Sequence, residues 1–98
     1  MDAYKYRTTL DEVDGDYKLT AQVPGLTKDD ISITAENGVL KIEGEKEINS
    51  HMISSIQKEF TLGNDIDVSK ISASVENGIL EVQLPKSAAK KAKKIKIS

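Results

Sequence analysis

The sequence predicts an all-β domain, an antiparallel β-sandwich of seven or eight short strands. Three observations lead there. A hairpin pattern occurs twice, first as Ile31-Ser-Ile-Thr-Ala-Glu-Asn-Gly-Val-Leu40 and then as Ile71-Ser-Ala-Ser-Val-Glu-Asn-Gly-Ile-Leu80. Turn signals built from Gly, Asn, Asp and Pro recur about every ten residues, the spacing of a sandwich. No segment longer than a single turn carries a helical period.

Residues 1–5 read as a short N-terminal arm, and Tyr6 to Val13 alternates loosely enough for an edge strand. Asp14-Gly15-Asp16 is a turn. Tyr17 to Val23 alternates cleanly, with Tyr17, Leu19, Ala21 and Val23 on one face. Pro24-Gly25 ends that strand, because proline has no N–H for the ladder. Thr27 to Asp30 is a polar link of about one helical turn. The first hairpin follows; Asn37 and Gly38 tolerate the positive φ angles of a type I′ turn. Its second strand places Leu40 and Ile42 inward. Gly44 to Ser55 mixes charged and apolar residues without a period. From Ile56 the alternation returns through Lys58, Phe60 and Leu62. Gly63-Asn64-Asp65 is a turn, and Asp67 to Lys70 is a second polar link. The second hairpin turns at Asn77-Gly78, continues through Leu80, Val82 and Leu84, and stops at Pro85.

Composition narrows the possibilities. A chain of 98 residues forms one domain with a modest core. With no Trp and one Phe, that core is aliphatic. The absence of cysteine excludes disulfides and thiolate chemistry, and fits a cytoplasmic setting. No apolar run approaches the ~18 residues of a membrane span. Charge is segregated. All 16 acidic residues lie before position 82, whereas Lys86, Lys90, Lys91, Lys93, Lys94 and Lys96 crowd the end. That basic tail has no arginine and no aromatic to stack on bases, so neither nucleic acid nor a membrane is expected as a partner.

The residues do not assemble into an enzyme. His51 is the sole histidine and lies in the aperiodic stretch, as a surface loop residue would. No serine sits in a nucleophile elbow, and the glycines are turn glycines rather than a phosphate cradle. Asp11, Asp14 and Asp16, or Asp65 and Asp67, match no complete calcium loop and read as solvated turn acids. No cofactor or metal is expected.

The tail carries the sharper signal. Ile95 and Ile97 present two branched side chains on one face of an extended segment, ~6–7 Å apart. They follow a Lys- and Ala-rich linker without an apolar face. Either they dock as a last strand on their own domain, or they anchor on another subunit by strand addition. A receptor is available in Ile31, Ile33 and Ala35 on one strand and Ile71, Ala73 and Val75 on another. The same residues equally serve as sandwich core.

In this order the motifs resemble the small heat shock protein (Hsp20, α-crystallin domain) family. Ala21-Gln-Val-Pro-Gly25 resembles its A-x-L-P-G step. Glu36-Asn-Gly-Val-Leu40 resembles its first N-G-V-L hairpin, and Lys58-Glu-Phe-Thr-Leu62 its R-x-F-x-L strand. Ala73 to Lys86 resembles its A-x-x-x-N-G-V-L signature with a closing L-P-K, and Ile95-Lys-Ile97 its I-x-I/V motif. The resemblance implies an immunoglobulin-like sandwich over residues 6–86 and a flexible extension over 87–98. It implies an ATP-independent holdase that binds unfolding clients, and a homodimer that assembles further when the tail docks in a neighbour's groove. Three departures stand out. Few residues precede the domain, where the family usually has a longer apolar arm. Lys58 stands where the family prefers arginine, losing the bidentate fork. The segment from Gly44 to Phe60 is short, leaving open a swapped strand or one elongated strand around 54–62 for dimerisation, with Lys58 and Ile56 as interface candidates. A co-chaperone-like module that binds one folded partner is the alternative function.

Overall fold

The computed structural model describes residues 7–87 and residue 97. Seven strands form two antiparallel sheets among these residues. They are β1 (Thr8–Val13), β2 (Asp16–Gln22), β3 (Ile31–Glu36), β4 (Val39–Asn49), β5 (Met52–Thr61), β6 (Ser72–Glu76) and β7 (Ile79–Leu84). One sheet runs in the order β1-β2-β7-β6, and the other in the order β3-β4-β5. The predicted antiparallel sandwich is therefore the observed fold. Both polar links become single 3₁₀ turns, Lys28–Asp30 and Val68–Lys70.

Three turns share one chemistry. Asp14-Gly15, Asn37-Gly38 and Asn77-Gly78 all hold positive φ at both positions, from 51° to 85°. This is the type I′ geometry that matches the twist of paired strands. Each turn sets its register: Val13 faces Asp16, Glu36 faces Val39, and Glu76 faces Ile79. With register fixed, period-2 alternation sends alternate side chains into the interior.

The core is aliphatic, as the composition requires. Leu19, Ala21, Val23, Leu40, Ile42, Leu80, Val82 and Leu84 are all buried, and these are the inward positions expected from the alternation. Leu26, Ile56 and Ile66 join them.

The aperiodic stretch from Gly44 to Ser55 is not a loop. It forms the outer half of a long β4–β5 hairpin, paired from Val39↔Thr61 to Asn49↔Met52. Its period is invisible because most of it projects into solvent on both faces, so neither face selects apolar residues. His51 sits exposed at the tip, where its backbone N–H donates to Asn49 Oδ1 at 2.8 Å. The arm is tied back to the body by Ser54, whose hydroxyl donates to the Pro24 carbonyl at 2.6 Å. Ile48 packs so closely on Gly25 that a Cβ there would lie 2.6 Å from its Cδ1.

Two stability measurements check this account. Leu40→Ala should lower the unfolding free energy by about 2–5 kcal/mol, the usual cost of a buried cavity. Gly78→Ala should cost about 1 kcal/mol or more, because its φ of +74° disfavours any Cβ. Its nearest neighbour, Pro24 Cα at 3.5 Å, adds little. Chemical denaturation of each variant provides both values.

Candidate functional site

The predicted groove lies where two sheet edges meet. β3 ends the three-stranded sheet and β6 ends the four-stranded sheet, so each has one unpaired side. Along β3 the pattern alternates strictly, with Ile31, Ile33 and Ala35 half-buried and Ser32, Thr34 and Glu36 exposed. Along β6 only Val75 is half-buried, and Ala73 stays exposed on the same face. A cavity of about 190 Å³ opens between these walls, lined by Ile31, Ile33, Ala73, Val75 and Leu80, with Lys28 and Ser74 at its polar margin.

Four of the six groove residues expected from sequence therefore meet in one cavity. Ala35 and Ile71 pack against the core but do not line it. Ile71 precedes β6, closing the 3₁₀ turn with an N–H bond to the Val68 carbonyl at 3.3 Å. Three lining residues, Leu80, Lys28 and Ser74, were not legible as groove. Leu80 reads as pure core from its inward phase, and Lys28 reads as part of a solvated link. Only the fold brings Lys28 beside β6.

The 3₁₀ turn beneath Lys28 has its own fastening. Thr27 donates from its backbone N–H and its hydroxyl to Asp30 Oδ2, at 2.9 Å and 3.1 Å. The Thr27 N–H holds the Asp30 carboxyl below its ordinary value against the opposing effect of burial, helped by the Thr27 hydroxyl and by Lys46. Lys46 Nζ lies 3.8 Å from the same carboxylate.

The tail leaves the domain from a fixed point. Lys86 forms an isolated bridge with Ile66, and its N–H donates to Asp16 Oδ1 at 2.9 Å. Its ammonium lies 3.5 Å from Glu12 and 4.9 Å from the centre of the Tyr17 ring. Ser87 then donates to the Asp65 carbonyl at 2.7 Å. Ile97 is 93% exposed, so it is not packed on its own domain. Ile95 and the lysine run before it lie outside the described residues.

The dimer-interface candidates separate. Ile56 is 6% exposed and belongs to the domain's own core, so it is not offered to a partner. Its position on β5 looks inward, in phase with Phe60. Lys58 has the same phase yet is exposed, because β5 is the last strand of its sheet. Among the described residues, no group of three or more metal-ligating side chains converges. No helix among them is long and apolar enough to cross a membrane.

A small antiparallel sandwich with an apolar groove between opposite sheet edges, and an Ile-x-Ile tail beyond it, defines the α-crystallin domain of small heat shock proteins. The profile described as the Hsp20/alpha crystallin family matches residues 9–98, and the chain belongs to that family. It is 34% identical over 103 residues to small heat shock protein C4 of Rickettsia felis, covering 94% of this chain and 63% of that protein. It is 33% identical over 100 residues to heat shock protein HSP.16.4 of Streptococcus thermophilus, covering 89% and 70%. The chain thus spans about two thirds of the length of these relatives. A crystal structure of a small heat-shock protein from Xylella fastidiosa, described as having a distinct high order structure, superposes with a TM-score of 0.78 at 27% identity. That match covers 97% of each chain. The family is one of chaperones rather than enzymes.

The fastening under Lys28 has a pH signature. A carboxyl held below its ordinary value contributes stability above that value and loses it as pH falls through the lowered one. The stability difference between the wild type and Asp30→Ala should be constant above the ordinary value of 3.8 and shrink below it. Urea titrations across the acid range measure it.

Proposed function

We propose that this chain is an ATP-independent holdase whose copies assemble by docking Ile95 and Ile97 into the β3–β6 groove of a neighbour. The observation that carries this reading is the pairing of a preformed apolar cavity with an exposed, branched tail residue. Burying two isoleucines gains roughly 3–6 kcal/mol gross. Ordering the linker and losing rigid-body freedom offset much of that. One contact is therefore weak and exchangeable, and many together in a shell hold through effective concentration. The extended tail also gains backbone hydrogen bonds from an open sheet edge, and its alternate side chains give specificity. Exchange of tails exposes apolar groove, the surface on which unfolding clients are held in a cytoplasmic setting.

Pairing of two copies is assigned to the outer part of the β4–β5 arm, from Met52 to Lys58. Met52 and Ile53 are exposed large apolar residues there, and β5 offers an unpaired edge. The unbroken strand favours pairing through one elongated strand over a swapped one. A domain of residues 6–86 with an extension over 87–98 remains the working division.

Two measurements test the reading. Ile95→Ala with Ile97→Ala should leave a folded dimer and abolish larger species in light-scattering-coupled chromatography; an unaltered size distribution would sink tail docking. Mixed with a heat-labile client, the wild-type chain should suppress turbidity without ATP. No suppression at several-fold molar excess would refute the holdase. A monomer indifferent to the tail substitutions would instead favour a module that binds one folded partner.

A further inference from the structure

The side of the sandwich opposite the tail groove holds a second recess. The four-stranded sheet has one strand more than its partner, so β1 overhangs. Register fixes which β1 side chains look inward: Thr8 faces Ala21, Leu10 faces Leu19, and Glu12 faces Tyr17. Ala21 and Leu19 are fully buried, yet Leu10 on their face is 57% exposed. Beneath it lies a cleft of about 380 Å³, lined by Leu10, Tyr17, Phe60, Leu62, Ile66 and Leu84, with Thr61 and Asp65 at its polar margin. Tyr17 and Phe60 are the two aromatic rings among the described residues. This volume lies at the lower end of small-ligand sites, room for one or two large side chains and not for a helix. The pairing stretch assigned to β5 ends at Lys58 and the cleft begins at Phe60, so pairing of two copies leaves it uncovered.

We propose that this cleft is a second client site, taking an extended segment of an unfolding protein in which a bulky apolar residue has lysine or arginine close by in its sequence. The proposal rests on the holdase reading and names the class of segment held. Charge selects the occupant. β1 and the turn after it carry Asp11, Glu12, Asp14 and Asp16 and no basic residue. Residues 63–67 carry Asp65 and Asp67 and no basic residue. Both segments frame the cleft, one through Leu10 and the other through Gly63, Asp65 and Ile66. Salt bridges among the described residues engage Lys18, Lys41, Lys46 and Lys86, and none of them reaches Asp65. Lys86 stands beside the lining, 4.9 Å from the centre of the Tyr17 ring, and Glu12 at 3.5 Å offsets its charge. Lys58 shares the inward phase of β5 but does not line the cleft. An apolar side chain fills the recess, and the Asp65 carboxylate at the margin attracts a cation. In an extended segment a basic residue two positions along lies on the same face, ~6–7 Å away, and reaches that margin. The open edges of β1 and β5 offer backbone hydrogen bonds to such a segment.

The chain contains no tryptophan, so tryptophan in a probe peptide reports on the peptide alone. The probe is a synthetic seven-residue peptide with tryptophan at its centre, lysine two positions to either side and serine elsewhere. Titration with the intact chain should shift its emission to the blue, and added salt should weaken the binding. Glutamate in place of both lysines should lower the affinity several-fold. Leu10→Ser should weaken the lysine peptide about tenfold, the worth of one apolar contact. Asp65→Asn should weaken it several-fold and reduce its salt dependence. Val13→Ser removes a residue about as exposed as Leu10 from the opposite face of β1, and should change nothing. Circular dichroism checks the fold of each variant. No blue shift overturns the proposal, as does equal affinity for the glutamate peptide or equal loss at Leu10 and Val13. A shift that fades as the chain is concentrated also overturns it, by assigning the cleft to a second copy. Failure here is distinct from failure of the holdase. Turbidity suppressed without peptide binding refutes the cleft alone; peptide binding without suppression refutes the holdase and leaves the peptide site standing.

Discussion

The two sheets are held together by one layer of interlocked aliphatic side chains, and the open surfaces of the domain follow from where that layer ends. Leu19, Val23, Leu40, Ile42, Leu80 and Val82 are almost wholly removed from water. They come from β2, β4 and β7 and the residue after β2, and these three strands have neighbours on both sides. A strand flanked on both sides can bury one face completely. An edge strand cannot, because its outer flank has nothing to pack against. β1, β3, β5 and β6 are all edges, and they carry the half-buried residues, the groove and the cleft. Apolar surface at the edges is thus a geometric consequence of a small core.

The proposed assembly gives one of these edges a use. In the proposed assembly the β3–β6 groove receives the tail of a neighbour, and its modest volume suits a contact that forms and breaks. The Lys86 fastening places the tail's exit on the β1–β2 hairpin side, through Asp16, Glu12 and Tyr17. The ammonium sits above its ordinary pKa: burial opposes its charge, and Glu12 and Tyr17 outweigh that. The exit is therefore anchored at Lys86 and Ser87.

Much of this was readable from residue order. The duplicated Asn-Gly hairpins announce themselves, because positive φ at two successive positions is tolerated by few residues. Leu40, Ile42, Leu80, Val82 and Leu84 follow from alternation once the turns are placed. The Ile31 and Ile33 wall is visible for the same reason. The outer half of the β4–β5 hairpin was not readable, since a strand exposed on both faces leaves no period. Ile56, an interface candidate from sequence, faces the core, because the packed sheet closes over that position of β5. Leu80 and Lys28 show the limit most clearly. One reads as core and the other as solvent, yet both line the groove.

By itself, then, the sequence determined the strands with a buried face, their turns, the aliphatic character of the core and the tail motif. These are local properties, set by backbone preference at a few positions and by the period of two. Only the tertiary structure decided which edges come together, that four strands face three, and that Leu10 is left overhanging a cleft. Those outcomes depend on contacts between residues distant in the chain. Their free energy is a property of the packed sandwich and leaves no local period to read.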